Sequence, residues 1–354
     1  MTIRFAEARF VVADAATLVS RVCDDLSSHG AALDGSGSLL TLTFGWGKCH
    51  VTVAGDETRL LVEADTATGI AVVREEVASH FIEYAPALEN AIRWSDAAEA
   101  PVHPAWFCLV TVCATRQVSA NMRRITFAGA DFQRYAGFVN IHVRLMFPLR
   151  ADLQRQWPTV APNGVTRYPP DDVVAIRKYT IRNIDVEAGS MDIDFVLHAD
   201  GGPGAGFALN AKPGDVIGLA GPGGRSVPVN RDWYLLAGDE TALPAIARIL
   251  ETLPQTARGL ALIEVDGAAD ELALSTRTGI AVRWLHRNGR PAGTTEILPG
   301  AVASASLPND GSSIFVWAGC EMAAFRKIRQ HLRMSRAVQR DDHLVVSYWT
   351  RNRD

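Results

Sequence analysis

The chain has 354 residues, of which 35 are basic and 39 acidic, giving a formal net charge of −4. With 48% hydrophobic and 21% charged residues, its composition is that of a folded globular protein, and its length is typical of two or three domains. These values exclude a disordered chain, and without a strongly basic domain we expect no nucleic-acid partner.

The sequence contains neither a clear targeting segment nor a cysteine motif. The first ten residues carry charges, and no apolar run approaches the roughly 18 residues of a membrane span, so we expect neither a signal peptide nor stable membrane insertion. The five cysteines form no C-x-x-C pair, which argues against a disulfide framework or a cysteine-based zinc site. We predict a cytoplasmic protein without metal ligands.

Residues 1–95 have the pattern of a small α+β domain. Apolar alternation predicts strands, helical spacing predicts two helices, and Asp14 is placed to cap the first helix. The predicted order is βαβββα, with elements at 3–12, 14–28, 38–44, 49–54, 59–64 and 66–84. Residues 96–105, small, polar and interrupted by proline, are predicted to be a linker.

Residues 106–228 change to short strands separated by turn residues, which predicts a small antiparallel barrel. The six strands are predicted at 107–114, 122–127, 142–147, 175–184, 191–198 and 215–219. The stretch 153–170, rich in proline and polar residues, is predicted to be a surface insertion.

Residues 229–354 alternate buried-type strands with helices, which predicts a parallel sheet with crossover connections. The strands are predicted at 234–237, 260–265, 280–285, 313–318 and 344–349. The chain as a whole is therefore predicted to be a multidomain α+β and α/β protein.

The centre of one barrel strand carries Arg177, Tyr179 and Thr180. Together they could serve a flavin, because an aromatic ring packs on isoalloxazine, a hydroxyl bonds its N5 edge and a guanidinium pairs with phosphate. The same residues also fit an ordinary strand with a packed tyrosine and an exposed arginine.

Three glycine-containing turns follow predicted strands. The turn 201–206 runs from the strand that ends at His198 into a helix, and free N–H groups at a helix N-terminus bind pyrophosphate. His198 either contributes to such a site or is structural. The turn at 220–225 either joins domains or places Arg225 beside a cofactor. The loop at 238–244 has the strand–loop–helix order of dinucleotide sites without the G-x-G-x-x-G signature.

Taken in order, these stretches resemble the siderophore-interacting protein family, a branch of the ferredoxin reductase-like superfamily. The resemblance extends over about 106–351 and rests on segments 142–148, 177–180, 194–198, 201–206, 213–215, 220–224, 237–244 and 345–351. The N-terminal segment, through 44–49, resembles a small domain of unknown function fused ahead of such reductases.

This resemblance implies an enzyme with an FAD-binding barrel and an NAD(P)-binding α/β domain. It would take hydride from NADH or NADPH and reduce the iron of a ferric siderophore, which is then released as Fe(II). No protein nucleophile or general base is required. By this resemblance, the residues that would hold the flavin and its phosphates are Arg177, Tyr179, Thr180, His198, Gly202, Gly204, Ala205 and Phe207. Asp239 and Thr241 would meet the nicotinamide nucleotide, and Arg144, Arg225 and Arg351 would bind the anionic chelate.

The sequence also departs from the family pattern. Ala205 and Phe207 stand where the family usually has Ser or Thr and then Trp, and Cys320 precedes Glu321 where Glu is common. Cys320 is therefore a candidate hydride-site thiol, whereas Cys49 fits a buried hydrophobic residue better than a reactive one.

The sequence leaves open the electron acceptor, the presence of turnover and the choice between NADH and NADPH. Electrons could instead pass to a flavin, a quinone or a protein carrier, or the chain could be a siderophore- or flavin-binding protein without turnover. Glu264 and Asp266 favour NADH. A 2′-phosphate on NADPH would need the basic residues Arg283, His286 and Arg287.

Overall fold

The computed structural model describes residues 3–97, 102–130, 132–138, 140–150, 156–198, 201–336 and 338–351. Two compact units divide the chain, each built from two stretches of sequence: 1–108 with 150–173, and 109–149 with 174–354.

The first unit is a two-layer α+β domain whose main sheet is antiparallel. Its elements are β1 (Arg4–Val11), α1 (Ala15–Ser28), β2 (Ala32–Ser36), β3 (Leu39–Phe44), β4 (Gly47–Ala54), β5 (Glu57–Ala64) and α2 (Ala67–Tyr84). The strand order is β1-β5-β4-β3-β2. Alternate strand residues such as Ala8 and Leu60 are buried with helix residues such as Val22 and Phe81 in one core.

This unit has one strand more than the predicted βαβββα order. The missed strand, β2, lies at the sheet edge, and all five of its residues are exposed. Because neither face of β2 is buried, its sequence shows no apolar alternation. The predicted cap of α1 was also wrong. Asp14 adopts a left-handed conformation with φ 54° and makes no side-chain capping bond. α2, by contrast, is capped by Thr66, whose hydroxyl accepts a bond from the Gly69 N–H.

The second unit contains the predicted six-stranded antiparallel barrel, which is confirmed. Its strands are β6 (Phe107–Ser119), β7 (Met122–Ala128), β8 (His142–Pro148), β11 (Val174–Asp185), β12 (Ser190–Val196) and β13 (Val216–Gly223). They close in the order β11-β12-β7-β6-β13-β8. Helix α3 (Pro203–Asn210) follows the glycine turn after β12.

Between β8 and β11 the chain leaves the barrel and returns to the first unit. This excursion includes the hairpin β9 (Thr159–Val160) and β10 (Thr166–Arg167). The indole of Trp94 donates to the Asn163 carbonyl at 2.7 Å, and the Asn163 amide donates to the Glu89 carbonyl at 2.9 Å. Part of the predicted surface insertion thus belongs to the fold of the N-terminal unit. Residues 151–155 lie outside the described part, and the predicted boundaries 1–95, 96–105, 106–228 and 229–354 stay predictions.

The rest of the second unit is the predicted parallel sheet with crossover helices. Its elements are β14 (Trp233–Gly238), α4 (Leu243–Thr252), β15 (Arg258–Val265), β16 (Gly279–His286), α5 (Ile297–Ser304), β17 (Ile314–Glu321), α6 (Met322–Gln330) and β18 (His343–Trp349). The order is β16-β15-β14-β17-β18, and every pairing is parallel.

This order reverses at β14, and in such sheets ligands bind at the carboxyl ends of the strands beside the reversal. Helix α5 was missed because it is short and includes Pro299 and Gly300. Among the described residues, no helix combines the length and apolar character needed to cross a bilayer.

Candidate functional site

Asp239 organises the carboxyl end of the parallel sheet. Its buried carboxylate accepts bonds from the Thr241 N–H at 3.0 Å and hydroxyl at 2.5 Å, from the Glu321 N–H at 3.0 Å and from the Trp349 indole at 2.8 Å. Burial raises the pKa of Asp239. These bonds tie together the ends of β14, β17 and β18. The structure therefore gives Asp239 a role in shaping the crevice in which Thr241 lies.

A buried ion-pair cluster lies beside Asp239. The Arg287 guanidinium donates to both carboxylate oxygens of Glu240, at 2.9 and 2.5 Å, and lies 3.6 Å from Glu264. Burial raises the pKa of Glu264 to about 7 although Arg287 opposes the shift. Arg287 is thus held inside the domain by two carboxylates. It cannot reach a 2′-phosphate without leaving them unpaired.

A cavity of about 170 Å³ opens at the same edge of the sheet. Its lining includes Asp239, Glu264, Cys320, Glu321 and Arg351. Burial, with nearby carboxylates, raises the pKa of the Cys320 thiol far above its usual range. The thiol therefore stays protonated, which does not suit a nucleophile. Arg351 lies here, and its backbone N–H donates to Glu321 at 3.2 Å.

The other part of the site is one face of the barrel, on strands β8 and β11. Thr180 lies opposite His142, and Lys178 lies opposite Arg144. Directly opposed residues of antiparallel strands share a face, and so do residues two apart on one strand. Thr180 and His142 are sheltered, whereas Lys178 and Arg144 are exposed. A polar pair is therefore followed on the same face by a pair of cations.

His142 links this face to the C-terminal strand. Its Nε2 lies 2.7 Å from the hydroxyl of Tyr348. Burial, together with the charges of Lys178 and Arg248, lowers the pKa of His142 to about 4. The imidazole is therefore neutral at physiological pH. Its buried Nδ1 has no hydrogen-bond partner among the described residues.

The turn after β13 closes over the His142 ring. A side chain at Gly224 would begin 2.5 Å from His142 Nδ1, and φ at Gly224 is +106°. Only glycine allows this approach. The next residue, Arg225, is exposed, so the turn adds a third cation near His142.

Tyr179 faces the opposite way from Thr180 and packs among aromatic rings. Its ring centroid is 4.4 Å from that of Phe195 and 6.1 Å from that of Phe147. Phe207 of α3 packs against the same rings, with its centroid 5.2 Å from that of Phe147. A Cβ at Gly204 would lie 1.8 Å from the Tyr179 hydroxyl, so the first turn of α3 rests directly on this tyrosine.

The N-terminus of α3 has the features of a phosphate site. Gly202 is its N-cap and has no side chain to cap the helix, so the N-cap residue leaves the first N–H groups of the helix available to a ligand. Cβ atoms at Gly202 or Gly206 would meet nothing within 4 Å, which shows open space beside the turn. Arg177 is exposed on the Tyr179 face of β11, and His198 is exposed just after β12. Ala205 is buried.

These features fit FAD. The open glycine turn and the uncapped helix suit a pyrophosphate, and the unpartnered Nδ1 of His142 suits a polar ring edge. The departures at Ala205 and Phe207 do not remove the backbone donors. Arg177, Thr180 and the turn around Gly204 would hold the group.

Comparison with known proteins agrees with this arrangement. Residues 111–226 match the siderophore-interacting FAD-binding domain, and residues 231–352 match the siderophore-interacting protein model. The chain belongs to the siderophore-interacting protein family. It is 32% identical over 241 residues to ferric vibriobactin reductase ViuB of Vibrio cholerae, a match that covers 68% of this chain and 88% of that one.

Three further relatives support the assignment. The NADPH-dependent ferric-chelate reductase of Escherichia coli is 30% identical, with 68% of this chain and 91% of that protein aligned. A siderophore utilization protein from T. fusca superposes with a TM-score of 0.60 at 36% identity, covering 70% of this chain and 94% of that chain. The siderophore-interacting protein SipS of Aeromonas hydrophila gives 0.58 and 32%, with coverage of 70% and 93%.

Three candidate site residues were not predicted from the sequence, although they lie in stretches on which the resemblance rests. Lys178 lies between two residues predicted to bind flavin. His142 is the first residue of β8, and Tyr348 lies near the end of β18. His142 and Tyr348 are 206 residues apart, so only the fold brings them together. The strand register would have revealed Lys178, because it places this residue opposite the predicted Arg144.

Proposed function

We propose that this protein is a cytoplasmic FAD-dependent NAD(P)H:ferric-siderophore oxidoreductase that releases iron as Fe(II). The main support for the proposal is a single barrel face on which Thr180 and the hydrogen-bonded pair His142–Tyr348 adjoin exposed Arg144 and Lys178. One end of this face suits a flavin ring edge, and the other suits an anionic chelate.

The chain's own residues bind and orient. Arg177 and the N–H groups at the start of α3 hold phosphate, and Thr180 with Tyr348 positions the flavin ring edge. His142 stays neutral and so adds no charge beside the ring. Bound FAD supplies the chemistry that turns a two-electron hydride into one-electron reduction of iron.

Substrate binding follows from the sign of the exposed charges. Arg144, Lys178 and Arg225 offer cationic donors beside His142, and a ferric chelate with carboxylate or catecholate arms is anionic. Charge-assisted hydrogen bonds of this kind are worth about 1.5–3 kcal/mol each. Salt screens them over about 8–10 Å at physiological ionic strength. We therefore expect chelate binding to weaken as ionic strength rises.

The nicotinamide nucleotide would enter at the carboxyl ends of β14 and β17, where Asp239 and Thr241 lie. Because Glu240 and Glu264 sequester Arg287, a 2′-phosphate would have to use other basic groups. Arg283 is exposed on β16, whereas His286 lies 2.8 Å from Glu271.

The test compares chelate reduction by Arg144→Ala and Lys178→Ala with that by the native protein. Each change should raise KM for an anionic ferric chelate about ten-fold or more. Flavin reduction by NAD(P)H should be unchanged, because the chelate takes no part in it. Arg116→Ala is the matched control, since Arg116 is an exposed arginine on barrel strand β6. Native KM and native salt dependence in both variants would remove this face from the substrate site.

A further inference from the structure

A cluster of metal-binding side chains lies in the N-terminal unit, outside the site described above. Asp25 and His29 are one helical turn apart at the end of α1, and His80 comes from α2. Residues four apart lie on the same helix face. One ligand atom from each residue can be chosen so that all three lie within 4.8 Å of one another.

The hydrogen bonds of His80 fix which nitrogen faces the cluster. Its Nδ1 lies 2.8 Å from the carbonyl oxygen of Glu76. Because a carbonyl can only accept, Nδ1 carries the proton, and in the neutral ring Nε2 presents a lone pair. A backbone carbonyl bonded to the second ring nitrogen is the usual support of a metal-binding histidine.

The spacing of the three groups suits a shared ion. His80 Nε2 accepts a hydrogen bond from His29 Nδ1 at 3.2 Å, which a bound ion would replace, and lies 3.7 Å from Asp25 Oδ2. Two ligands at about 2.0–2.1 Å from a tetrahedral ion are about 3.3 Å apart. The two nitrogens are therefore already near the separation that one ion would require, and the Asp25 carboxylate lies 3.7 Å from one of them.

The surroundings also favour a cation. His29 is the C-cap of α1, where the helix dipole stabilises positive charge. The side chains of His80 and Asp25 are only 12% and 25% exposed, while His29 is exposed and leaves a path from solvent.

We propose that Asp25, His29 and His80 form a binding site for one divalent transition-metal ion of the Zn²⁺ or Fe²⁺ class. Two imidazoles and one carboxylate suit such ions better than Mg²⁺ or Ca²⁺, which prefer oxygen ligands alone. Three protein ligands leave a coordination position open to water or to a small molecule. The site departs from the sequence-based expectation of no metal ligands, and it does not depend on the proposed reductase function.

The experiment titrates the full-length protein, stripped with a chelator, with Co²⁺ and follows the visible absorption of the bound ion. Competition with Zn²⁺, and with Fe²⁺ under anaerobic conditions, then shows which ion binds more tightly. We expect one ion per chain. His29→Gln and His80→Gln should each weaken binding at least about 100-fold, more than the 10–100-fold cost of losing an outer-shell partner.

His50→Gln is the matched control, because His50 lies 3.6 Å from Glu63 in the same unit but outside the cluster. It should bind Co²⁺ like the native protein. Circular dichroism checks each fold, and exposed His29 provides the variant least able to disturb it. The proposal fails if the native protein binds no stoichiometric Co²⁺. It also fails if His29→Gln binds normally, or if His50→Gln loses as much affinity as the cluster variants.

Discussion

Replacing Arg287 by methionine should remove the cation that holds two buried carboxylates together. The Arg287 and Glu240 side chains are each 6% exposed and share two hydrogen bonds, and Glu264 lies 3.6 Å away. Breaking a buried pair by removing one partner costs about 3–5 kcal/mol, because the remaining charge stays buried without compensation. We expect a loss of this size in the stability of the parallel-sheet region.

The loss should depend on pH. In the native protein the pKa of Glu264 is raised from 4.5 to about 7, so the folded state binds more protons than the unfolded state between these values. The contribution of Glu264 to stability is therefore complete below pH 4.5 and falls by about 3 kcal/mol as pH rises through 7. Without Arg287 the pKa values of Glu264 and Glu240 rise further. The deficit of Arg287→Met should thus be larger at pH 8 than at pH 6.

Urea unfolding is monitored by pulsed hydrogen exchange with mass spectrometry of peptides from β14 and β15. A local readout is needed because a chain of several units does not unfold in one step. Exposed Arg290 provides the control Arg290→Met. The double variant Glu240→Gln/Arg287→Met should lose less stability than Arg287→Met alone. If Arg287→Met costs no more than the control, or if the double variant is the less stable of the two, the buried pair does not stabilise this region.

Three further predictions concern the site itself. Gly204→Ala should lower FAD retention, because its Cβ would lie 1.8 Å from the Tyr179 hydroxyl, and adding Tyr179→Phe should restore part of it; equal cofactor content in both variants would contradict this contact. Thr180→Val should weaken FAD binding or slow flavin reduction by removing the hydroxyl that lies opposite His142, whereas full occupancy with native kinetics would place Thr180 outside the site. Cys320→Ser should leave flavin reduction by NAD(P)H unchanged, because burial keeps the thiol protonated; a large rate loss in stopped-flow experiments would give the thiol a role.

The sequence predicted the elements whose burial is one-sided or complete. The barrel strands and the apolar strands of the parallel sheet have clear periodicity, because one or both of their faces lie in a core. β2 was missed because it is an exposed edge strand, and α5 because it is short and contains proline and glycine. The return of 156–173 to the N-terminal unit depends on contacts such as Trp94 with Asn163, which have no local signal.

In the candidate site, too, residues with a local sequence signal could be predicted, and residues brought together only by the fold could not. Residues 177–180 and 201–206 could be found because each motif is continuous in sequence. Lys178 and His142 required the strand register, and Tyr348 required the packing of the sheet against the barrel. Composition could not show that Arg287 is buried between carboxylates, so its availability to a 2′-phosphate was left open.

The most direct test of the reductase function is anaerobic stopped-flow spectroscopy of the FAD-loaded protein. The enzyme is first reduced with one equivalent of NADH or NADPH and then mixed with a ferric siderophore in the presence of a chromogenic Fe(II) chelator. We expect the flavin absorbance to return as two Fe(II) appear per nicotinamide oxidised, because hydride carries two electrons and each iron accepts one. If the reduced protein is not reoxidised by any ferric chelate tested but is rapidly reoxidised by a free flavin or a quinone, a ferric siderophore is not its electron acceptor.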